Sequence, residues 1–288
     1  MIIHSHLKGA MLTCVGILIL SPDALLIRLI QTVIWTMLFW RGLRCGIVMM
    51  AIAGTLTKSN RRKKLIRLRA GEIQIIAVNA SSHFLFIFAI AETTVANTLV
   101  ILSISPLLGA LLSLLLLREN VSIRTWLTTI AVFFGLLLIF SQSVGGGTLT
   151  GDISALACAL MLALNFVLLR KYRSTEMIHA VAWGNLFTAA VAWFFTTPET
   201  IISIEWIFVV ILGIGILPIS STLITLGPRY LPAPEVGLIL LLEAILGPLW
   251  VWLIIKESPS IQTLIGGILI LAALAWMSTA LLIENRKS

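Results

Sequence analysis

The sequence predicts an all-α fold: a polytopic membrane protein of ten transmembrane helices arranged as two inverted five-helix repeats. Three observations carry this reading: the composition, a polar knot that occurs twice, and the placement of the basic residues. Hydrophobic residues make up 59% of the chain and charged residues 11%, with a mean hydropathy of +1.08. Soluble domains carry about a quarter charged residues, so this chain could not cover itself with a polar surface in water.

The knot reads Arg118-Glu119-Asn120-Val121-Ser122-Ile123-Arg124-Thr125 and returns in the second half as Lys256-Glu257-Ser258-Pro259-Ser260-Ile261-Gln262-Thr263. Glu, Ser, Ile and Thr recur in register, as do Gly109 and Gly247 in the apolar runs before them. Matching leucines would mean little in a chain this apolar, whereas matching polar residues mark a duplication. The repeats are residues 1–143 and 144–288, together forming one membrane domain.

Ten apolar segments reach the roughly 20 residues that cross about 30 Å of hydrocarbon as a helix. They lie at 9–29, 33–55, 72–90, 95–117, 124–142, 152–171, 177–197, 206–226, 234–255 and 260–283. The first could be mistaken for a signal peptide, but no small-residue cleavage site follows and Ser21-Pro22-Asp23 leads into more apolar sequence. Span two holds Arg41 and Arg44, span three Asn79 and His83. Pro106 breaks span four, and the knot closes it. Span six repeats span one, Asp23-Ala24-Leu25-Leu26-Ile27-Arg28 corresponding to Asn165-Phe166-Val167-Leu168-Leu169-Arg170. Span nine holds Glu243 and Pro248. Cys14, Cys45 and Cys158 fall inside spans without a CxxC pair, which suits buried thiols rather than a disulfide framework or a zinc site. No cofactor or metal is expected.

With the N-terminus cytoplasmic, sixteen of the twenty basic residues fall on the inner side. They are Lys8, the run Lys58, Arg61, Arg62, Lys63, Lys64, Arg67 and Arg69, then Arg118, Arg124, Arg170, Lys171, Arg173, Arg229, Arg286 and Lys287. Arg28 and Lys256 lie outside. This accounts for the net charge of +8 and the pI of 9.9 without nucleic acid. The run at 58–69 could meet RNA or an anionic lipid head group; a topology determinant is the simpler reading. Five spans per half is an odd number, so the halves enter the membrane from opposite sides. Inverted repeats with a midplane site at their interface are the architecture of secondary transporters.

Thr94-x-Ala96, Ser103-x-Ser105-Pro106 and Arg118-Glu119 together resemble the EamA-type repeat of the drug/metabolite transporter superfamily. The second copy, Leu242-Glu243-Ala244, Gly247-Pro248, Lys256-Glu257 and Gly266-Gly267, is similar to the same family's motifs, and the likeness runs from the Asp23 segment through Phe39-Trp40-Arg41-Gly42 to the last helix. One departure is that the family's proline after the mid-helix glutamate is Ala244 here, with Pro248 four residues on, which shifts the expected kink by about one turn. The resemblance implies ten helices, a small-molecule substrate and often amino-acid export; the expected place is a bacterial inner membrane, with both termini cytoplasmic by the basic residues. It leaves the substrate open. Membrane lipid, proton coupling as an option, and a monomer or weak dimer complete the expected partners.

Polar residues at membrane depth are the candidates for a site. At about 1.5 Å per residue, His83, Ser105 and Glu243 lie near the midplane, and Asp23 and Arg41 in the outer third. The first three suit a substrate cavity, with a hydrogen-bonded core histidine and a structural glutamate as the plainer reading. Asp23 and Arg41 suit a structural ion pair, with Arg41 attracting a substrate carboxylate as the sharper alternative. Asn79 shares the His83 helix face and Asn97 lies near the outer mouth; both suit an amino-acid ligand, and both also suit interhelical hydrogen bonding. Trp250, seven residues from Glu243, falls nearly on its face and could meet an apolar substrate group or simply pack. Trp35, Trp193, Trp206 and Trp126 form the ordinary aromatic belt. An intramembrane enzyme would need a nucleophile with a base, or clustered metal ligands; neither G-x-S-x-G nor H-E-x-x-H occurs. A channel is separated from a carrier by the absence of saturation and counterflow.

Overall fold

The computed structural model describes residues 2–23, 25–26, 30, 34–56, 69–92, 98, 101–140, 148–196, 205–243, 246, 250, 253–254, 261, 265–266, 268–273 and 276. Among these residues all regular structure is helical. The helices are α1 (Ile2–Leu20), α2 (Ile34–Leu56), α3 (Ala70–Glu92), α4 (Ser105–Leu117), α5 (Ile123–Phe140), α6 (Leu149–Lys171), α7 (Ile178–Trp193), α8 (Trp206–Arg229) and α9 (Ala233–Leu240). Beyond a turn at Leu241–Leu242, described residues of the ninth and tenth spans are also helical. Helix α1 begins well before the first apolar span, because hydropathy marks what enters the hydrocarbon and not where hydrogen bonding starts.

Among the described residues four helices are long and apolar enough to cross a bilayer on their own: Trp35–Leu56, Ala70–Ala89, Leu149–Lys171 and Trp206–Arg229. Large apolar side chains point outward along the molecule, including Leu115 at 65% exposure and Ile123 at 70%. In water such a surface would aggregate; in lipid it is the solvated face. This is a polytopic all-α membrane protein.

Local chemistry sets the helix ends. Thr148 caps α6, its Oγ1 accepting from the Gly151 N–H at 3.2 Å, and Arg170 and Lys171 occupy the last turn, where the helix dipole favours cations. Ser122 caps α5 by accepting from the Thr125 N–H at 3.2 Å. Arg118, in the left-handed region at φ 55°, turns the chain out of α4. Within α8 the stretch Ile211–Ile216 is π-helical. Pro218 follows it, and a proline ring crowds the carbonyl four residues back, here that of Ile214.

The packing has a two-fold pattern. Exchanging helix n of the first half with n + 5 of the second turns most of the larger contacts into one another: α3 on α6 becomes α8 on α1, α3 on α7 becomes α8 on α2, and α4 on α6 becomes α9 on α1. The pairs α2 with α7 and α4 with α9 map onto themselves. The tightest seam is α2 on α7. A Cβ added at Gly42 would stand 2.7 Å from the Asn185 backbone oxygen, and one at Gly46 2.6 Å from the Leu186 side chain, so these glycines, four apart, let the two backbones close. The largest buried cluster, with Met49, Ile75, Ile178, Leu212, Leu231 and Val236, joins helices of both halves.

Candidate functional site

Among the described residues three helices are interrupted, at Ser21–Pro22, Ser103–Ile104 and Leu241–Leu242. Pro22 and Pro106 explain the first two, since each lacks an N–H and crowds a carbonyl one turn earlier. At the first break the disturbed carbonyl is that of Leu18, and Ser21 Oγ donates to it at 2.8 Å. The second and third breaks stand in the same register as Arg118 and Lys256, so the sequence duplication carries one onto the other. At the third, Leu242 N–H reaches back only to Ile239, at 3.1 Å. This break precedes Glu243; the kink expected at Pro248 lies outside the described residues.

In each case helix resumes at a polar residue: Asp23, Ser105 and Glu243. Interrupted helices supply polar groups at membrane depth, and such backbone is tolerated where it is buried in protein or lines a cavity. Asp23 and Ser105 are both buried. Arg41 of α2 donates from Nη1 and Nη2 to the two Asp23 carboxylate oxygens, each at 2.9 Å, a bidentate pair. Arg41 also lies within electrostatic reach of His83 on α3 and of Glu243, and Glu243 within reach of Asp23. Four ionisable side chains from four spans thus share one electrostatic site. Arg41 is paired with one carboxylate and lies within electrostatic reach of a second and of an imidazole, an arrangement able to take a zwitterion or to exchange a proton.

Trp250 Nε1 donates to Ser21 Oγ at 2.8 Å, tying the ninth span to the break in the first. Asn79 is turned into α7 instead: its Oδ1 would stand 2.6 Å from a Cβ added at Gly184, and that oxygen is buried without a hydrogen-bond partner. Ser105 is buried among the helices with no described contact to Arg41 or Glu243. Asn97 lies outside the described residues.

Sequence reasoning did not anticipate the ionic contacts at the opposite end of the helices. His6 of α1 meets Glu235 of α9 at 2.8 Å, Arg170 of α6 meets Glu119 at 3.2 Å, and His179 Nε2 of α7 lies 3.2 Å from Glu72 of α3. The last is an electrostatic contact, because His179 Nε2 misses hydrogen-bond geometry. Each pair joins one half to the other. Nothing in the spacing announces such partners, which stand far apart in the chain; Glu119 and Arg170 each lie in a duplicated segment, but the duplication relates each to its own counterpart and not to the other. A second missed feature had a signal: Trp40 and Arg44 stand four apart, hence on one face of α2.

A helical membrane scaffold with duplicated halves and a polar site at paired helix breaks defines a transporter of the inverted-repeat class. The model of the EamA-like transporter family matches residues 7–141 and again 149–279. The chain belongs to that family, and with it to the drug/metabolite transporter superfamily. A protein of Methanothermobacter thermautotrophicus described as an uncharacterized transporter is 26% identical over 198 residues, 65% of this chain. The match spans 57% of that relative's length. One solved crystal structure superposes with a TM-score of 0.81 over 97% of this chain and 99% of its own, at 22% identity, a likeness of fold alone.

Proposed function

We propose that the protein is a secondary carrier of small metabolites in a bacterial inner membrane, with both termini cytoplasmic, and that it exports amino acids or related zwitterions. The observation that carries this is the Asp23–Arg41–His83–Glu243 cluster at the helix breaks. Arg41 suits a substrate carboxylate, and Glu243, with no hydrogen-bond partner among the described residues, suits an ammonium or a proton. Ser105 and Trp250 stand at or beside the same breaks. Asn79 and Asn97 complete the proposed binding set, though Asn79 faces α7. A carrier of cationic drugs is the second reading, favoured by Glu243, with no hydrogen-bond partner among the described residues, and by the indole of Trp250 on the same span.

Counterflow in proteoliposomes, screened with amino acids, nucleosides and cationic drugs, tests the carrier. Saturable exchange of an amino acid is expected; no counterflow of any class from folded protein counts against it. Glu243→Gln keeps the shape of the side chain and is expected to fold, to bind substrate at least tenfold more weakly, and to flatten the pH dependence of flux. Unchanged affinity and pH profile would make Glu243 structural.

A further inference from the structure

Helix α2 carries a second arginine that the transport cluster does not use. The Arg44 stem lies over Gly213 in the π-helical part of α8, where an added Cβ would stand 2.9 Å from Arg44 Cβ and 3.1 Å from its Cδ. Its guanidinium carbon is 4.8 Å from the Trp40 ring centroid and 4.9 Å from that of Trp206. The two indoles meet edge to face at 4.9 Å. Gly213 is two turns beyond Trp206 in α8, so the side chain runs from about midspan back toward the start of both helices. This is the path of a cation reaching for the head-group region.

Two donors there have no acceptor. Arg44 Nη1 and Trp40 Nε1 are both buried and lack a hydrogen-bond partner, and no carboxylate pairs with Arg44 among the described residues. Leaving a buried donor unsatisfied costs about 1–3 kcal/mol, more for a charged group, so the arrangement calls for an anion from outside the protein. The surroundings identify its source. Ile47 of α2 and Ile207, Ile211 and Ile214 of α8 belong to the same stretches of the two helices and are each about half exposed, so this face of the pair meets lipid and not water.

We propose that Arg44, clasped by Trp40 and Trp206, binds the phosphodiester of an anionic glycerophospholipid, whose acyl chains lie along the isoleucines between α2 and α8. The guanidinium supplies a forked donor to the phosphate oxygens, Trp40 Nε1 adds another, and the indole faces hold the cation in place without neutralising it. The bound lipid would brace α2 against the π-helical segment of α8. This site is separate from the Asp23–Arg41 pair and stands whether or not the carrier reading holds.

Phospholipid retained through detergent purification and extracted for mass spectrometry gives the test, with wild type compared to Arg44→Gln and Trp40→Phe. Phosphatidylglycerol is expected to stay with wild type, to fall at least fivefold in Arg44→Gln and to fall less in Trp40→Phe, which loses one donor but keeps the ring. Added short-chain phosphatidylglycerol should raise the melting temperature of delipidated wild type and not of Arg44→Gln, and inorganic phosphate should do neither. Equal retention by wild type and both variants overturns the site. So does an equal shift with inorganic phosphate, which would make it a receptor for a soluble anion. Where Arg44→Gln fails to fold, Trp40→Phe decides: retention equal to wild type counts against the proposal.

Discussion

At the scale of single residues, the bidentate Asp23–Arg41 pair invites two readings that a mutant cycle separates. Removing one member of a buried pair strands the other charge, at a cost of about 3–5 kcal/mol, although the 22% exposure of the Arg41 side chain lowers that figure. Asp23→Asn and Arg41→Gln are each expected to lower the melting temperature, and the double variant to lose less than the sum of the two. Strict additivity would mean that the pair is not coupled in solution. Glu243 lies within reach of Arg41 and can partly replace Asp23, so Asp23→Asn should be the milder single change. Flux adds a second readout: a weakened substrate affinity in folded Arg41→Gln places the guanidinium on the substrate, and a loss of stability alone makes it structural.

At the scale of helices, the duplication made more visible than any single span did. Spans two, three, five and six follow their hydropathy to within a few residues, because in a bilayer the apolar run and the helix are the same object. The break at Pro106 was read from its proline, whereas Pro22 carried the same marker inside a span read as continuous. The Leu241–Leu242 break has no such marker; only its register with Ser103–Ile104, the register that also relates Lys256 to Arg118, gives it away. The α2–α7 seam was missed, since a pair of glycines among apolar residues acquires meaning only when the neighbouring helix is known. That seam yields a direct contrast. Gly42→Val would press a branched side chain on the Asn185 carbonyl and is expected to destabilise by about 1–3 kcal/mol. Gly54→Ala, where an added Cβ meets nothing within 4 Å, should change the melting temperature little. Equal effects at the two glycines would show that the backbones are not in close contact.

At the scale of the molecule, the ionic contacts lie together at the end of the helices that the basic residues assign to the cytoplasm, and each ties one half to the other. A carrier that alternates its access must part its halves at one end while closing the other, so these contacts bear on the balance between states. His6 precedes the first apolar span, and the hydrogen bond that its Nε2 donates to the Glu235 carboxylate holds its imidazole above the ordinary value of 6.5, with burial and Arg170 opposing. A histidine whose folded value is raised lends stability that is fully present below 6.5 and is lost as pH rises through the folded value. The melting temperature of wild type relative to His6→Gln is therefore expected to be highest on the acid side of 6.5 and to converge toward the variant as the medium becomes alkaline. If opening this end limits the cycle, counterflow in His6→Gln should be faster than wild type at acid pH and equal to it at alkaline pH. A stability difference that grows with pH would reverse the sign of the coupling and remove His6–Glu235 from any role in holding the cytoplasmic end closed.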